Sequence, residues 1–229
     1  MKHFRLSVVL LISLLSSVTY SDNHKKLIFV ADPWPPYHTG ELGGAMTEGM
    51  MKPVIERIFT LAEIPFEMRI ELWKKVLSDV YSGRADVTLA VKTEARAKFM
   101  QYSLPLLRGN FSFFYLKSGC VPSHWNQLSD FANYRIGLVK GFAYGKAFYD
   151  AVMKDGISVR YFDSAIQSNQ ALVNKKVDYI IANKAVEQYL LKTDPRFVDA
   201  NIDVMDKPVN VTNLGLAFSK KSPWLAYLP

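Results

Sequence analysis

The side chains best able to do chemistry in this 229-residue chain stand in four short loops, each following a run of β-type residues. They read Asp32-Pro33-Trp34-Pro35-Pro36-Tyr37, Lys92-Thr93-Glu94-Ala95-Arg96, Lys140-Gly141-Phe142-Ala143-Tyr144 and Asn183-Lys184. Together they offer stacking rings, cations, a hydroxyl and the free amides of helix starts. In the first loop three prolines fix φ near about −65° and remove amide donors. The backbone is therefore stiff, and Trp34 and Tyr37 either form a stacking wall or cover a sheet edge as part of a rigid turn. In the second loop Thr93 stands at an N-cap position and Arg96 in the first helical turn. A guanidinium there presents a two-pronged fork to a carboxylate or phosphate, which Lys92 cannot imitate as a point charge. The competing use of Arg96 is a weak surface pair with Glu94. Gly141 allows a tight turn and close approach of backbone to a ligand, or serves only the turn.

Bond-breaking chemistry finds less support. Glu48, Asp32 and Glu94 are the acids near these loops, and His38 reads as a solvent-exposed turn imidazole. His24 and His124 have no metal-like spacing to other ligands. No Ser/His/Asp or Cys/His arrangement is present, and Cys120, the single cysteine, reads as an inert loop thiol that excludes an internal disulfide or a cysteine-built zinc site. No catalytic residue, metal or cofactor is expected.

The elements that must position these loops alternate in type. Leu27 to Ala31 is a continuous apolar run of strand length, which points to burial on both faces. Helical spacing follows at Met51, Val54, Ile55, Ile58, Phe59 and Ala62, and again at Trp73, Val76, Leu77 and Val80, ending at Gly83. Strand then alternates with helix through 87–91, 135–139, 144–153, 159–162, 165–173, 177–182 and 185–191, the pattern of an α/β protein with parallel strands. One echo stands out. A helix leads to Asp86 and a strand, and another leads to Asp178 and a strand, 178 − 86 = 92 residues later. That spacing is far beyond solenoid periods of about 20–50 residues, so it suggests two similar lobes if it is more than the commonest α/β step.

Composition sets the class. At 49% apolar and 21% charged the chain can bury a globular core. Its net charge of +7 is scattered along the sequence, which argues against a nucleic-acid footprint. Lys2 and Arg5 precede an apolar stretch from Leu6 to about Leu15 and then small residues, the layout of a secretory signal peptide with cleavage near Ser21. The stretch is shorter than the roughly 20 apolar residues of a membrane helix. A soluble, periplasmic protein is expected.

These residues, in this order, resemble the family 3 extracellular solute-binding proteins, the periplasmic receptors of polar amino acid ABC transporters. The resemblance runs through Pro35-Pro36-Tyr37, Gly44 to Glu48, Trp73 to Gly83 with Asp86, Thr93 to Arg96, Phe99 to Pro105, Gly137 to Gly141 and Asp178 with its strand. It implies a type II periplasmic binding protein fold, two lobes joined by a two-crossing hinge. The lobes would be 22–112 with 206–229, and 113–205, after a leader at 1–21. Crossings are placed near Ser112–Lys117 and Asp206–Val211, with 211–219 returning to the first lobe as a strand, and the closing helix is short. By the same resemblance Arg96 grips a ligand carboxylate with help from Thr93, and Trp34, Tyr37, Val91, Gly141, Tyr144, Asn183 and Glu48 complete the ligand site. Three positions depart from the family. Asn183 stands where an aspartate usually holds the ligand ammonium, Val91 where many members have serine, and Ala143-Tyr144 where a hydroxyl residue is common. The cleft is therefore expected to be more apolar, and Glu48 or Asp32 would have to take the aspartate's place. The implied function is monomeric capture of a small carboxylate-bearing solute, an amino acid or related organic acid, for an ABC permease. The alternatives are a cyclohexadienyl dehydratase-like enzyme on the same fold, or a sensing lobe for a membrane signalling partner.

Overall fold

The computed structural model describes residues 26–227, so the expected leader lies outside the described residues. The first half contains β1 (Leu27–Ala31), α1 (Met51–Leu61), β2 (Phe66–Ile70), α2 (Trp73–Ser82), β3 (Val87–Val91) and the single turn α3 (Glu94–Ala97). A long strand, β4 (Met100–Leu116), leads into β5 (Arg135–Val139), α4 (Lys146–Asp155), β6 (Ser158–Phe162), α5 (Ala165–Val173), β7 (Tyr179–Asn183), α6 (Lys184–Thr193) and β8 (Ile202–Val204). The chain then returns through β9 (Asn210–Ser219). Among the described residues no helix is long and apolar enough to cross a membrane.

The nine strands form one sheet in the order β2-β1-β3-β9-β4-β7-β5-β6, with β8 also paired to β4. β4 and β9 run antiparallel side by side from Met100 opposite Ser219 to Phe111 opposite Asn210. At Phe111 the far side of β4 takes up β7, and beyond Ser112 β8 replaces β9 on the near side. That exchange sits just ahead of the 112–117 stretch expected for the first crossing, and Asn210 falls inside the stretch expected for the second. Each half thus repeats one order: second strand, first strand, third strand, an antiparallel visitor, then a fourth strand.

The Asp86 and Asp178 echo belongs to this repeat. Asp86 accepts from the amide of Ile28 at 2.8 Å and returns its own amide to the Ile28 carbonyl at 3.0 Å. Asp178 does the same for Arg135, at 2.8 Å in both directions. Each acid tethers the first strand of its half to the third by satisfying an amide that would otherwise be left at the strand start.

Local chemistry explains the boundaries. β1 buries Leu27, Phe29, Val30 and Ala31, as its unbroken apolar run requires. α2 buries Trp73, Val76 and Val80 and stops at Gly83, whose φ of +80° suits a residue without Cβ. α4 begins at Lys146 rather than at the expected Tyr144, because Gly145 adopts a φ of +93° just before it. β2, β8 and the first half of β4 have no counterpart in the sequence reading. β4 contains Pro105 and two register shifts around it, and these break the period-2 pattern that marks a strand. The core of the second half is aromatic: Phe113 is fully buried and stacks on Phe131 at 3.9 Å between centroids, with Tyr179 against both.

One buried polar pair lies between α5 and α6. Asn169 and Glu187 are both fully buried, and the Asn169 amide donates to Glu187 Oε2 at 3.0 Å. The amide oxygen Asn169 Oδ1 and the second carboxyl oxygen, Glu187 Oε1, have no partner among the described residues. Burial pushes the Glu187 carboxyl up to about 7, against the opposing pull of the Asn169 amide. The folded chain then holds a proton that the unfolded chain releases near 4.5, so stability from this group is present below about 4.5 and is lost as pH rises through about 7. Glu187→Gln, which stays neutral, should flatten this decline in melting temperature between pH 5 and pH 8 on the order of the linkage predicted for one shifted carboxyl. An undiminished decline in the variant would show that Glu187 is not its source.

Candidate functional site

The ends of β1 and β3 meet the start of the second half's first crossover at the junction between halves. Thr93 caps α3 as its sequence predicts, its Oγ1 accepting from the Arg96 amide at 3.2 Å. This short turn swings the Arg96 side chain inward, and the residue is only 5% exposed. Arg96 makes no pair with Glu94. Nη1 donates to the Val91 carbonyl at 2.9 Å and Nη2 to the Gly141 carbonyl of the other half at 2.7 Å, while the guanidinium lies 5.1 Å from the Trp73 ring. Burial draws its pKa down, against the influence of Tyr102 and other neighbours.

Two spaces meet at Arg96. The inner one is a cavity of about 40 Å³, bordered by Asp32, Trp34, His38, Trp73, Phe111 and Phe142 together with Val91 and Arg96. That volume suits roughly two or three waters. The outer one is a cleft of about 750 Å³ holding Val91, Lys92, Thr93, Glu94, Arg96, Gly141, Lys146 and Tyr149. Its size is within the range of about 300–1,000 Å³ typical of ligand sites. Three cations against one acid make the cleft a seat for negative charge, though Lys146 is shared with Asp150 at 2.6 Å.

Of the nine expected ligand residues the structure gathers Arg96, Thr93, Val91, Gly141 and Trp34 around these spaces. The other four stand elsewhere. Tyr37 is buried against Trp34, with ring centroids 4.8 Å apart, and packs into the core. Tyr144 is fully buried, its hydroxyl accepting from the Val139 amide at 2.7 Å, so it closes the turn after β5 instead of facing a ligand. Asn183 turns its Oδ1 to the amides of Ala185 and Val186 and so caps α6, the ordinary use of asparagine at a helix start. Glu48 is exposed on a bridge to Thr39, ahead of α1 rather than at its start.

His38 also corrects the sequence reading. It is 2% exposed, not a surface imidazole, and its Nδ1 donates to the Asp32 carbonyl at 2.5 Å. Burial lowers its pKa to about 4, so it is neutral at pH 7. Asp32 borders the inner cavity as its one carboxyl, and burial raises it to about 7 against a backbone hydrogen bond and the Arg96 cation. Trp73, Phe111 and Phe142 are site residues that the sequence reading did not single out. Phe142 stood next to Gly141 in a loop already suspected. Trp73 was fully accounted for by helical spacing, which hid its second role. Among the described residues no group of three potential metal ligands is present.

No protein-family model matches the chain. No curated protein matches it in sequence. Solved structures do. A histidine kinase sensor domain with similarity to periplasmic binding proteins superposes with a TM-score of 0.74 at 18% identity, over 87% of this chain and 85% of that one. The arginine-, lysine-, histidine-binding protein ArtJ from Geobacillus stearothermophilus gives 0.73 at 18%, over 88% and 85%. An ancestral arginine-binding protein bound to arginine gives 0.72 at 19%, over 88% and 87%. At these identities the likeness establishes the fold, the type II periplasmic binding protein fold.

The Asp32 carboxyl lies among tryptophans, so its ionisation should be visible in their emission. Intrinsic fluorescence of the protein should show an inflection near pH 7 that disappears in Asp32→Asn. Identical titration curves for the two proteins would rule out the raised carboxyl.

Proposed function

We propose that this chain is a non-catalytic, periplasmic solute receptor. Two lobes, 22–112 with 206–229 and 113–205, close over a small carboxylate-bearing solute, an amino acid or related organic acid, and the monomer presents it to the permease of an ABC-type uptake system. The observation that carries this reading is the place of Arg96: a buried guanidinium at the junction of the halves, bordering both the inner cavity and the basic outer cleft. Its fork suits a carboxylate better than any other side chain in the cleft does. The solved relatives named for binding arginine, lysine and histidine support the same class of ligand. With Asn183 used as a helix cap, the inner cavity offers Asp32 alone as an acid for a ligand's cationic group. A second reading, favoured by the likeness to a histidine kinase sensor domain, has the same closure read by a membrane signalling partner instead of a permease.

Arg96 can be removed without stranding the groups it serves. Val91's carbonyl also accepts from Tyr102 Oη at 3.2 Å, and Gly141's from Trp73 Nε1 at 2.9 Å. A thermal-shift screen of amino acids, dicarboxylates and small aromatic acids should yield at least one compound that raises the melting temperature. Arg96→Ala should still melt cooperatively but bind that compound roughly 10- to 100-fold more weakly, the scale of a lost hydrogen bond to a charged group. A screen without any stabilising compound, or an Arg96→Ala titration that matches the parent, would sink the proposal.

A further inference from the structure

The loop at the start of the second half's first crossover is held by the first half through contacts that need no solute. Arg96 Nη2 and Trp73 Nε1 converge on one acceptor, the Gly141 carbonyl, at 2.7 and 2.9 Å. Trp73 also lies beneath the Arg96 guanidinium and takes the edge of Phe142 on its ring at 5.9 Å. The donors belong to α2 and α3 and the acceptor to the turn after β5, so every one of these contacts spans the two halves or orients a group that does. Gly141 makes the approach possible. Its φ is +78°, and a Cβ there would come to 3.2 Å from Trp73 Cδ1 and 3.3 Å from Leu77 Cδ1.

We infer that Trp73 is a positioning residue which, with Arg96, latches the two halves together on the Gly141 carbonyl, a hold that a solute must displace to reach the guanidinium. The carbonyl then occupies the guanidinium's outward prong, the place a ligand carboxylate must take. A carboxylate carries a full charge and two acceptor oxygens, so it outcompetes a neutral carbonyl for that prong. Trp73's own bond to Gly141 holds the carbonyl in that prong, so it too must release before a carboxylate can enter. The latch therefore lowers apparent affinity in proportion to its occupancy, because a solute finds only the unlatched fraction open to it. The competition with a solute rests on the receptor reading above, whereas the latch itself does not.

The test uses distances between spin labels on Cys120, an exposed native thiol of the second half, and on an introduced Thr60→Cys in α1 of the first. No solute is added. The parent should give one narrow distance distribution, the reference against which the variants are read. Trp73→Phe keeps a ring but loses the N–H, and should raise the population at long distance roughly fivefold, the worth of one neutral hydrogen bond. Gly141→Ala should move most of the distribution to long distance while melting stays cooperative; if that variant does not fold, Trp73→Phe decides alone. A broad parent distribution, or variants that lower the melting temperature without moving the distances, overturns the latch and leaves Trp73 a packing residue. Acetate, as a bare carboxylate probe, should bind Trp73→Phe about fivefold more tightly than the parent, and equal binding overturns the competition. A chain that binds nothing in the thermal-shift screen would still pass or fail the distance test, so the two failures are distinguishable.

Discussion

A guanidinium taken out of water has to find acceptors for its hydrogens, and Arg96 finds them only where two halves of the chain meet. Its fork bridges a carbonyl of β3 and a carbonyl after β5, with an indole ring beneath. No carboxylate compensates the charge directly, so the cost of burial is offset by carbonyl dipoles and by the ring. That arrangement fixes several other features at once. The turn of α3 must be short and capped by Thr93 to aim the side chain inward, Gly141 must lack a Cβ, and Trp73 must stand at the very start of α2. The same cation bears on Asp32, whose carboxyl is nevertheless raised by its apolar surroundings.

Much of the architecture was legible because short-range physics wrote it. Strands β1, β3 and β5 and helix α5 appear within the residues expected for them, since apolar runs bounded by Pro33, Gly83 or Gly141 leave few alternatives. The 92-residue echo between Asp86 and Asp178 proved to be a shared hydrogen-bonding task rather than a coincidence of α/β grammar. What escaped was β4. Its identity as a strand is decided by partners more than 60 residues away in sequence, such as Asn183 and Asn210, and its own residues near Pro105 speak against it. Nonlocal pairing of that kind leaves no periodic trace.

The site was legible where chemistry is specific and obscure where one residue type serves two purposes. The Thr93 cap was legible, and it leaves Arg96 buried on the carbonyls of Val91 and Gly141 instead of paired with Glu94. Aromatic and amide residues have many. Tyr144, Tyr37 and Asn183 were expected at the ligand, and the fold uses them instead as a turn closer, a core ring and a helix cap. His38 was misjudged for the opposite reason: a histidine in a proline-rich loop looks wet, yet the loop folds back so that its ring seals against Trp34 at 5.9 Å. Trp73 shows the limit of periodicity, which explains why a ring is buried but not what its N–H does.

The shared pair of long strands determines how the halves are able to move. β4 and β9 are the two rails on which the halves are mounted, and they are bonded to each other along the way from Met100 to Phe111. Only where residues 108–110 face 211–213 does this pair stand without a third strand, and a two-stranded ribbon there resists stretching and sliding, because either would break its ladder, but twists about its own axis at small cost. Relative motion is thereby reduced to little more than one rotational degree of freedom. Any rotation of the halves about this ribbon would part the Gly141 carbonyl and the Arg96 guanidinium along one path.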